Sequence, residues 1–226
     1  MSAPIAVALD APDLPTAVKW ATDVGPHVST VKVGLQLFNA VGIDGVQQVR
    51  EAAPDCRLFL DLKLHDIPNT VAGAARAVAE LLPDLLTVHA LGGPAMVRAA
   101  CEALPDTFVT GVTILTSMSA DDLTTVGLSD SPQDAVLRLA RLAVDAGARA
   151  LVCSPQEVAA VRHEVGPNVR LVTPGVRPAG ADVGDQARVA TPRQALLNGA
   201  DLLVIGRPIT AASDRGAAAA AIAESL

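Results

Sequence analysis

Two acids and a lysine crowd the stretch Phe59-Leu60-Asp61-Leu62-Lys63-Leu64-His65-Asp66-Ile67, with Pro68 directly after it. A carboxylate can hold an ammonium in place, and an ammonium offers a compact charge and a proton to give up. Leu60, Leu62 and Leu64 alternate with Asp61, Lys63 and His65, which is the period of a β-strand with one apolar face. Successive strand side chains point to opposite faces, so Asp61 and Lys63 emerge side by side. Two charges on the inward face of a central strand are costly to desolvate unless they pair, which argues for a purpose. The plainer alternative is a solvated edge strand with a surface ion pair.

The lysine count sharpens the point. The chain holds three lysines, Lys19, Lys32 and Lys63, against fourteen arginines. Where arginine supplies most surface charge, a retained lysine points to a task that a guanidinium, which does not deprotonate, cannot perform. Lys19 falls in an amphipathic helical pattern and reads as a surface residue. Lys32, between Val31 and Val33, and Lys63 both interrupt apolar strand patterns.

These residues need elements to hold them. The chain has 226 residues, 50% of them hydrophobic and 2% aromatic, which suits one large α/β domain or two small ones. Its net charge of −7 with no basic block argues against nucleic acid or an anionic membrane as partner, but leaves a phosphorylated metabolite open. No apolar run is long enough to cross a bilayer and no secretory leader pattern opens the chain. Cys56, Cys101 and Cys153 are scattered and odd in number, so they read as buried thiols in a reducing compartment, with no disulfide frame and no zinc site. A cytoplasmic protein is expected.

The hydrophobic pattern predicts strands over 5–10, 28–34, 59–67, 85–90, 108–115, 150–153, 169–173 and 202–205. Helices are predicted over 14–24, 35–53, 69–82, 94–104, 132–146, 155–165 and 192–198 and from residue 213 onward, with a polar loop after Thr116-Ser117. Eight strand–helix units without a linker predict one domain over residues 1–226, a closed (β/α)8 TIM barrel of the α/β class. The alternative, an open doubly wound sheet, rarely needs eight consecutive units, and no Gly-x-Gly-x-x-Gly turn follows the first strand.

In such a barrel, reactive groups gather at the carboxyl ends of the strands. Asp10, Lys32, Asp61, Lys63, Asp66, His89, Thr116, Arg177 and Gly206-Arg207 all fall at or just past those ends. Singly each reads as a turn residue or helix cap, but together they converge on one mouth. His89 is read as a packed, hydrogen-bonded barrel residue. Gly206-Arg207-Pro208 after the eighth strand has the makings of a phosphate site, with close backbone approach and a guanidinium fork. It also fits a plain turn with a solvated arginine.

With Asp61-x-Lys63-x-x-Asp66, a lysine at the preceding strand end, Pro174-Gly175-Val176-Arg177 and Gly206-Arg207-Pro208, the chain resembles the orotidine 5′-phosphate decarboxylases from Asp10 to Arg207. That resemblance implies decarboxylation of orotidine 5′-monophosphate to UMP and CO2, the last step of de novo pyrimidine biosynthesis, with no metal and no organic cofactor. It implies that Lys63 protonates pyrimidine C6. Asp61, and Asp66 from a partner subunit, would fix its ammonium, with Lys32 completing the charge array. Asp10 and Lys32 would hold the ribose, and Thr116 would contact the pyrimidine. Arg177 and Gln186 would belong to a closing loop, and Gly206 and Arg207 would take the phosphate. Ile67 and Thr70 would come from the neighbouring subunit, making a homodimer with shared active sites.

Two rivals stand beside this reading. Magnesium-dependent 3-keto-gulonate-phosphate decarboxylases and hexulose-phosphate synthases share Asp61-x-Lys63-x-x-Asp66, but typically carry a metal-binding glutamate where this chain has Lys32. An ammonium there repels Mg²⁺. A catalytically silent nucleotide-binding barrel is the other, and it gives no reason to bury the charged set.

Overall fold

The computed structural model describes residues 2–177 and 190–226. Short runs of Val, Leu and Ile, apolar on both faces, form parallel strands that must be covered on both sides. They are β1 (Ala3–Ala8), β2 (Val28–Gly34), β3 (Arg57–Leu64), β4 (Leu85–His89), β5 (Phe108–Val112), β6 (Ala150–Val152), β7 (Arg170–Thr173) and β8 (Leu202–Ile205). Each pairs with the next and β8 pairs with β1, closing the barrel. The expected (β/α)8 TIM barrel is the fold observed.

Helices α1 (Leu14–Val24), α2 (Leu35–Ala52), α3 (Pro68–Ala77), α4 (Pro94–Ala103), α5 (Ala120–Thr125), α6 (Pro132–Asp145), α7 (Val158–Val165), α8 (Pro192–Leu197), α9 (Arg207–Thr210) and α10 (Arg215–Glu224) lie between or after the strands. Their starts are written locally. Asp13 accepts from the Thr16 N–H at 2.9 Å to open α1, and Asp214 accepts from the Ala217 N–H at 2.9 Å to open α10. Outward residues of neighbouring strands, such as Val7, Val31, Leu60, Leu86, Val109 and Leu203, pack under the helices in one large core. A second, smaller cluster of Ala6, Phe59, Leu85, Val172 and Leu202 fills the barrel interior. That filling makes the barrel a packed plug with a usable mouth at one end.

Several boundaries move. β1 ends at Ala8 and leaves Asp10 beyond it, while β5 ends at Val112 and leaves Thr116 in a loop. α2 is broken at Gly42, whose φ of 64° leaves the helical region, so the continuous helix expected over 35–53 is two segments. The stretch read as a polar loop after β5 contains α5, because Ser119 and Asp122 cap each other reciprocally. α7 starts at Val158 where the pattern suggested Pro155, and the turn after β8 winds into α9. Among the described residues, no helix is long and apolar enough to cross a membrane.

The three cysteines are free: Cys153 is buried, Cys56 and Cys101 partly so. Burial pushes the thiols up, to about 11 for Cys56 and Cys101 and about 12 for Cys153. At pH 8 a thiol titrating near 11 is thiolate in roughly one molecule per thousand. Native protein is therefore expected to react slowly with an aromatic disulfide reagent at pH 8, and to release three equivalents rapidly once denatured. Fast reaction of folded protein would contradict that burial.

Candidate active site

The third strand does not run straight to its end. Leu60 pairs with Leu86 and Leu64 with Val88, so four residues along β3 span two along β4. That bulge releases Lys63 from the ladder and puts its φ at 48°, in the left-handed region. For a side chain with a Cβ such a conformation costs about 1–2 kcal/mol. Its N–H finds a new acceptor in the Thr87 hydroxyl at 2.8 Å. The Lys63 ammonium then reaches back over the strand to donate to Asp61 Oδ1 at 2.9 Å. Simple alternation places Asp61 and Lys63 on one face; the bulge brings their charged groups into contact.

Asp61 is the centre of the charges. Its second oxygen, Oδ2, lies 3.1 Å from Lys32 Nζ, and the Thr87 hydroxyl donates to Oδ1 at 3.1 Å. Asp10 Oδ1 stands 3.7 Å from Lys32 Nζ, but its side chain is 54% exposed against 14% for Asp61 and 7% for Lys32. Lys32–Asp61 is thus the buried pair, and Asp10 is the open end of the row. Burial alone pushes the Asp61 carboxyl up, but Lys32 and Lys63 outweigh it and hold it below the ordinary carboxylate range. An ionised Asp61 flanked by two ammonium groups results.

These groups line a cavity of about 470 Å³ at the carboxyl ends of the strands, a size suited to a small metabolite. Phe59, Val112, Val152, Val172 and Val204 form its apolar floor. Thr116, Arg177, Gly206 and Arg207 also line it. At Gly206 the space a Cβ would fill is bounded by Ala8 Cβ alone, at 3.5 Å, so bare backbone faces the cavity. At Gly34 an added Cβ would lie 3.0 Å from both Asp10 Oδ1 and Lys32 Nζ, so glycine there keeps the charged row from being displaced.

Asp10, Lys32, Asp61, Lys63, Thr116, Arg177, Gly206 and Arg207 therefore meet in one mouth. Asp66, Ile67 and Thr70 do not: all three are exposed and none lines the cavity of their own chain. Gln186 lies outside the described residues. His89 packs on His65 with ring centroids 5.4 Å apart, but its buried Nδ1 lacks a hydrogen-bond partner, unlike the bonded residue expected. Burial, then His65 and Lys63, push its imidazole down, which keeps it neutral near pH 7. Gly34, Gln36 and Thr87 were missed by sequence reasoning. For Thr87 a signal existed, since Leu85, Thr87 and His89 alternate in the fourth strand as Asp61 and Lys63 do in the third. Among the described residues, no three His, Cys, Asp or Glu side chains gather as a metal ion would need.

A second, mainly apolar groove of about 540 Å³ opens on the outside, lined by Phe38, Val41, Ile43, Leu62, Leu64 and Val78 among others. Leu62 and Leu64 are the apolar face of the stretch that carries Asp61 and Lys63.

Known proteins give the same reading of the chain. Residues 3–222 match the family described as Orotidine 5′-phosphate decarboxylase / HUMPS family. A protein of Thermobifida fusca (strain YX) named orotidine 5′-phosphate decarboxylase is 66% identical over 226 residues, covering 100% of this chain and 97% of that protein. One of the same name from Anaeromyxobacter sp. (strain K) is 57% identical, covering 98% of this chain and 97% of that protein. The crystal structure of orotidine 5′-phosphate decarboxylase from Lactobacillus acidophilus superposes with a TM-score of 0.86 at 38% identity, covering 99% of this chain and 98% of that one.

Proposed function

The chain belongs to the Orotidine 5′-phosphate decarboxylase / HUMPS family and is an enzyme, and from that premise we propose how its residues decarboxylate orotidine 5′-monophosphate in pyrimidine biosynthesis. Lys63 is the proton donor, no metal or organic cofactor takes part, and residues 1–226 act as one catalytic domain. The observation that carries this reading is the Lys63 ammonium held 2.9 Å from an ionised, mostly buried Asp61 at the mouth of the barrel.

Loss of CO2 from C6 leaves an electron pair in the plane of the pyrimidine ring, where the ring carbonyls delocalise it poorly. A cation already in position stabilises that charge without reorganising as the bond breaks. Lys63 then gives one proton to C6, forming the C–H bond of UMP, and regains a proton from water. Asp61 fixes the ammonium, and its own negative charge opposes the substrate carboxylate that is leaving. Lys32 balances Asp61 from the other side and, with Asp10, faces the ribose. Thr116 meets the pyrimidine. Arg177, together with Gln186, closes over the ligand, while Gly206 and Arg207 take the phosphate. Grip on a phosphate remote from the reacting bond is binding energy available to order the site.

Asp66, Ile67 and Thr70 serve the neighbouring subunit's site. Their exposure beside their own mouth, the 65% exposed Ile67 and the apolar groove nearby suit a face covered by a second copy. The enzyme is a homodimer on this reading, with each site completed across the interface.

Lys32 also separates this chemistry from the magnesium-dependent one, because an ammonium 3.1 Å from Asp61 takes the place of a metal beside that carboxylate. Purified enzyme is expected to bleach the orotate absorbance of orotidine 5′-monophosphate at an undiminished rate in excess EDTA. Loss of turnover in EDTA, restored by Mg²⁺, would assign the site to the metal-dependent reaction instead.

A further inference from the structure

We propose that Thr87 is a positioning residue of the reaction: its hydroxyl locks the Lys63 backbone and the Asp61 carboxylate together and so aims the ammonium at the cavity. The inference rests on the role given to Lys63 above.

Thr87 sits on β4 with no exposed surface. A hydroxyl has one proton to donate and lone pairs to accept with. The Lys63 N–H donates to Thr87 Oγ1 at 2.8 Å, so the hydroxyl's own proton is left for Asp61 Oδ1, 3.1 Å away. That same carboxylate oxygen receives the Lys63 ammonium at 2.9 Å. A closed ring runs from the Lys63 backbone through Thr87 and Asp61 to the end of the Lys63 side chain. Every polarity in it is fixed: the Lys63 N–H and ammonium can only donate, so the Thr87 proton goes to Asp61 Oδ1, which accepts twice.

The bulge explains why a side chain is needed here at all. Regular pairing of β3 with β4 stops at Leu60↔Leu86 and resumes at Leu64↔Val88, which takes the Lys63 N–H out of the ladder. Thr87 lies between the two partners on β4 and replaces the missing acceptor from its side chain. A β-branched residue has few rotamers open to it, so the hydroxyl is presented at a nearly fixed angle. Lys63 at φ 48° lies in the bulge of β3, where regular pairing with β4 is interrupted, and this hydroxyl takes its N–H.

A group that acts only through others should change turnover more than binding. Thr87→Val keeps size and branching but deletes the hydroxyl, and it is expected to lower kcat by roughly 10- to 100-fold, as a misaligned reacting group does. Affinity for UMP, measured by fluorescence or calorimetry, should stay within about two-fold, since phosphate, ribose and pyrimidine contacts are untouched. Thr87→Ser retains the hydroxyl and should recover most of kcat. Should Thr87→Val fold poorly, the pair Thr87→Ser and Thr87→Ala differs by that hydroxyl alone and should show the same gap in kcat. Equal kcat for Ser and Ala variants, or a Val variant that loses thermal stability but turns over like wild type, would reduce Thr87 to a structural residue. Wild type that fails to decarboxylate orotidine 5′-monophosphate would overturn the reading of Lys63 and this proposal with it. Active wild type with an unaffected Val variant overturns this proposal alone.

Discussion

Replacing Lys63 by alanine is expected to lower kcat by at least about four orders of magnitude while leaving the protein folded. The size follows from what the ammonium does: it is the cation beside the forming charge and also the source of the proton. Among the described residues that line the cavity, Lys32 is the other ammonium, and it is spent on Asp61 Oδ2 at 3.1 Å and on Asp10. The fold should survive because Asp61 keeps Lys32 and the Thr87 hydroxyl, so no charge is left buried alone. Alanine at φ 48° is no worse placed than lysine, and the Lys63 side chain is 30% exposed with no core to support. Circular dichroism and UMP binding are the controls. Activity within ten-fold of wild type would remove Lys63 from the chemistry.

The second large effect concerns the dimer. Lys63→Ala and Asp66→Ala homodimers should each be nearly inactive, yet a mixture of the two should regain activity. In a mixed dimer one site carries both defects and the other carries neither. Random reassortment makes about half the dimers mixed, so the mixture should reach about a quarter of wild-type activity. Asp66 suits this role because it is exposed and does not line its own chain's cavity, its Oδ1 accepting the Ile67 N–H at 2.6 Å. Subunits must be exchanged through partial unfolding and refolding or by co-expression. No recovery after verified exchange would confine each site to one chain.

How far the chain could be read without coordinates varied with what fixes each feature. Leu202–Ile205 and Val28–Gly34 are bounded by turn residues and have the predicted limits in the structure. Asp61, Lys63 and Lys32 were legible because charge in an apolar strand is conspicuous. The bulge at Lys63 was not, since alternation of Leu60, Leu62 and Leu64 continues undisturbed while the backbone departs from it. Thr87 escaped notice for a related reason: threonine is an ordinary strand residue, and its value comes from facing a gap in a neighbour far away in sequence. The break at Gly42 and the helix after Ser119 were written locally, one as a glycine and one as a Ser-x-x-Asp cap, but were outweighed by the surrounding pattern. Asp66, Ile67 and Thr70 show the other limit. A single chain can display their exposure, but their work depends on a surface that belongs to another copy.

The most direct test of Lys63 as proton donor is a crystal structure with a uridine 5′-phosphate analogue that bears an oxyanion at C6, mimicking the charge left by CO2. Lys63 Nζ should lie within hydrogen-bond distance, about 3 Å, of that oxygen, still donating to Asp61, with the phosphate against Gly206 and Arg207. An oxyanion held by Lys32 or by water, with Lys63 turned out of the cavity, would contradict it.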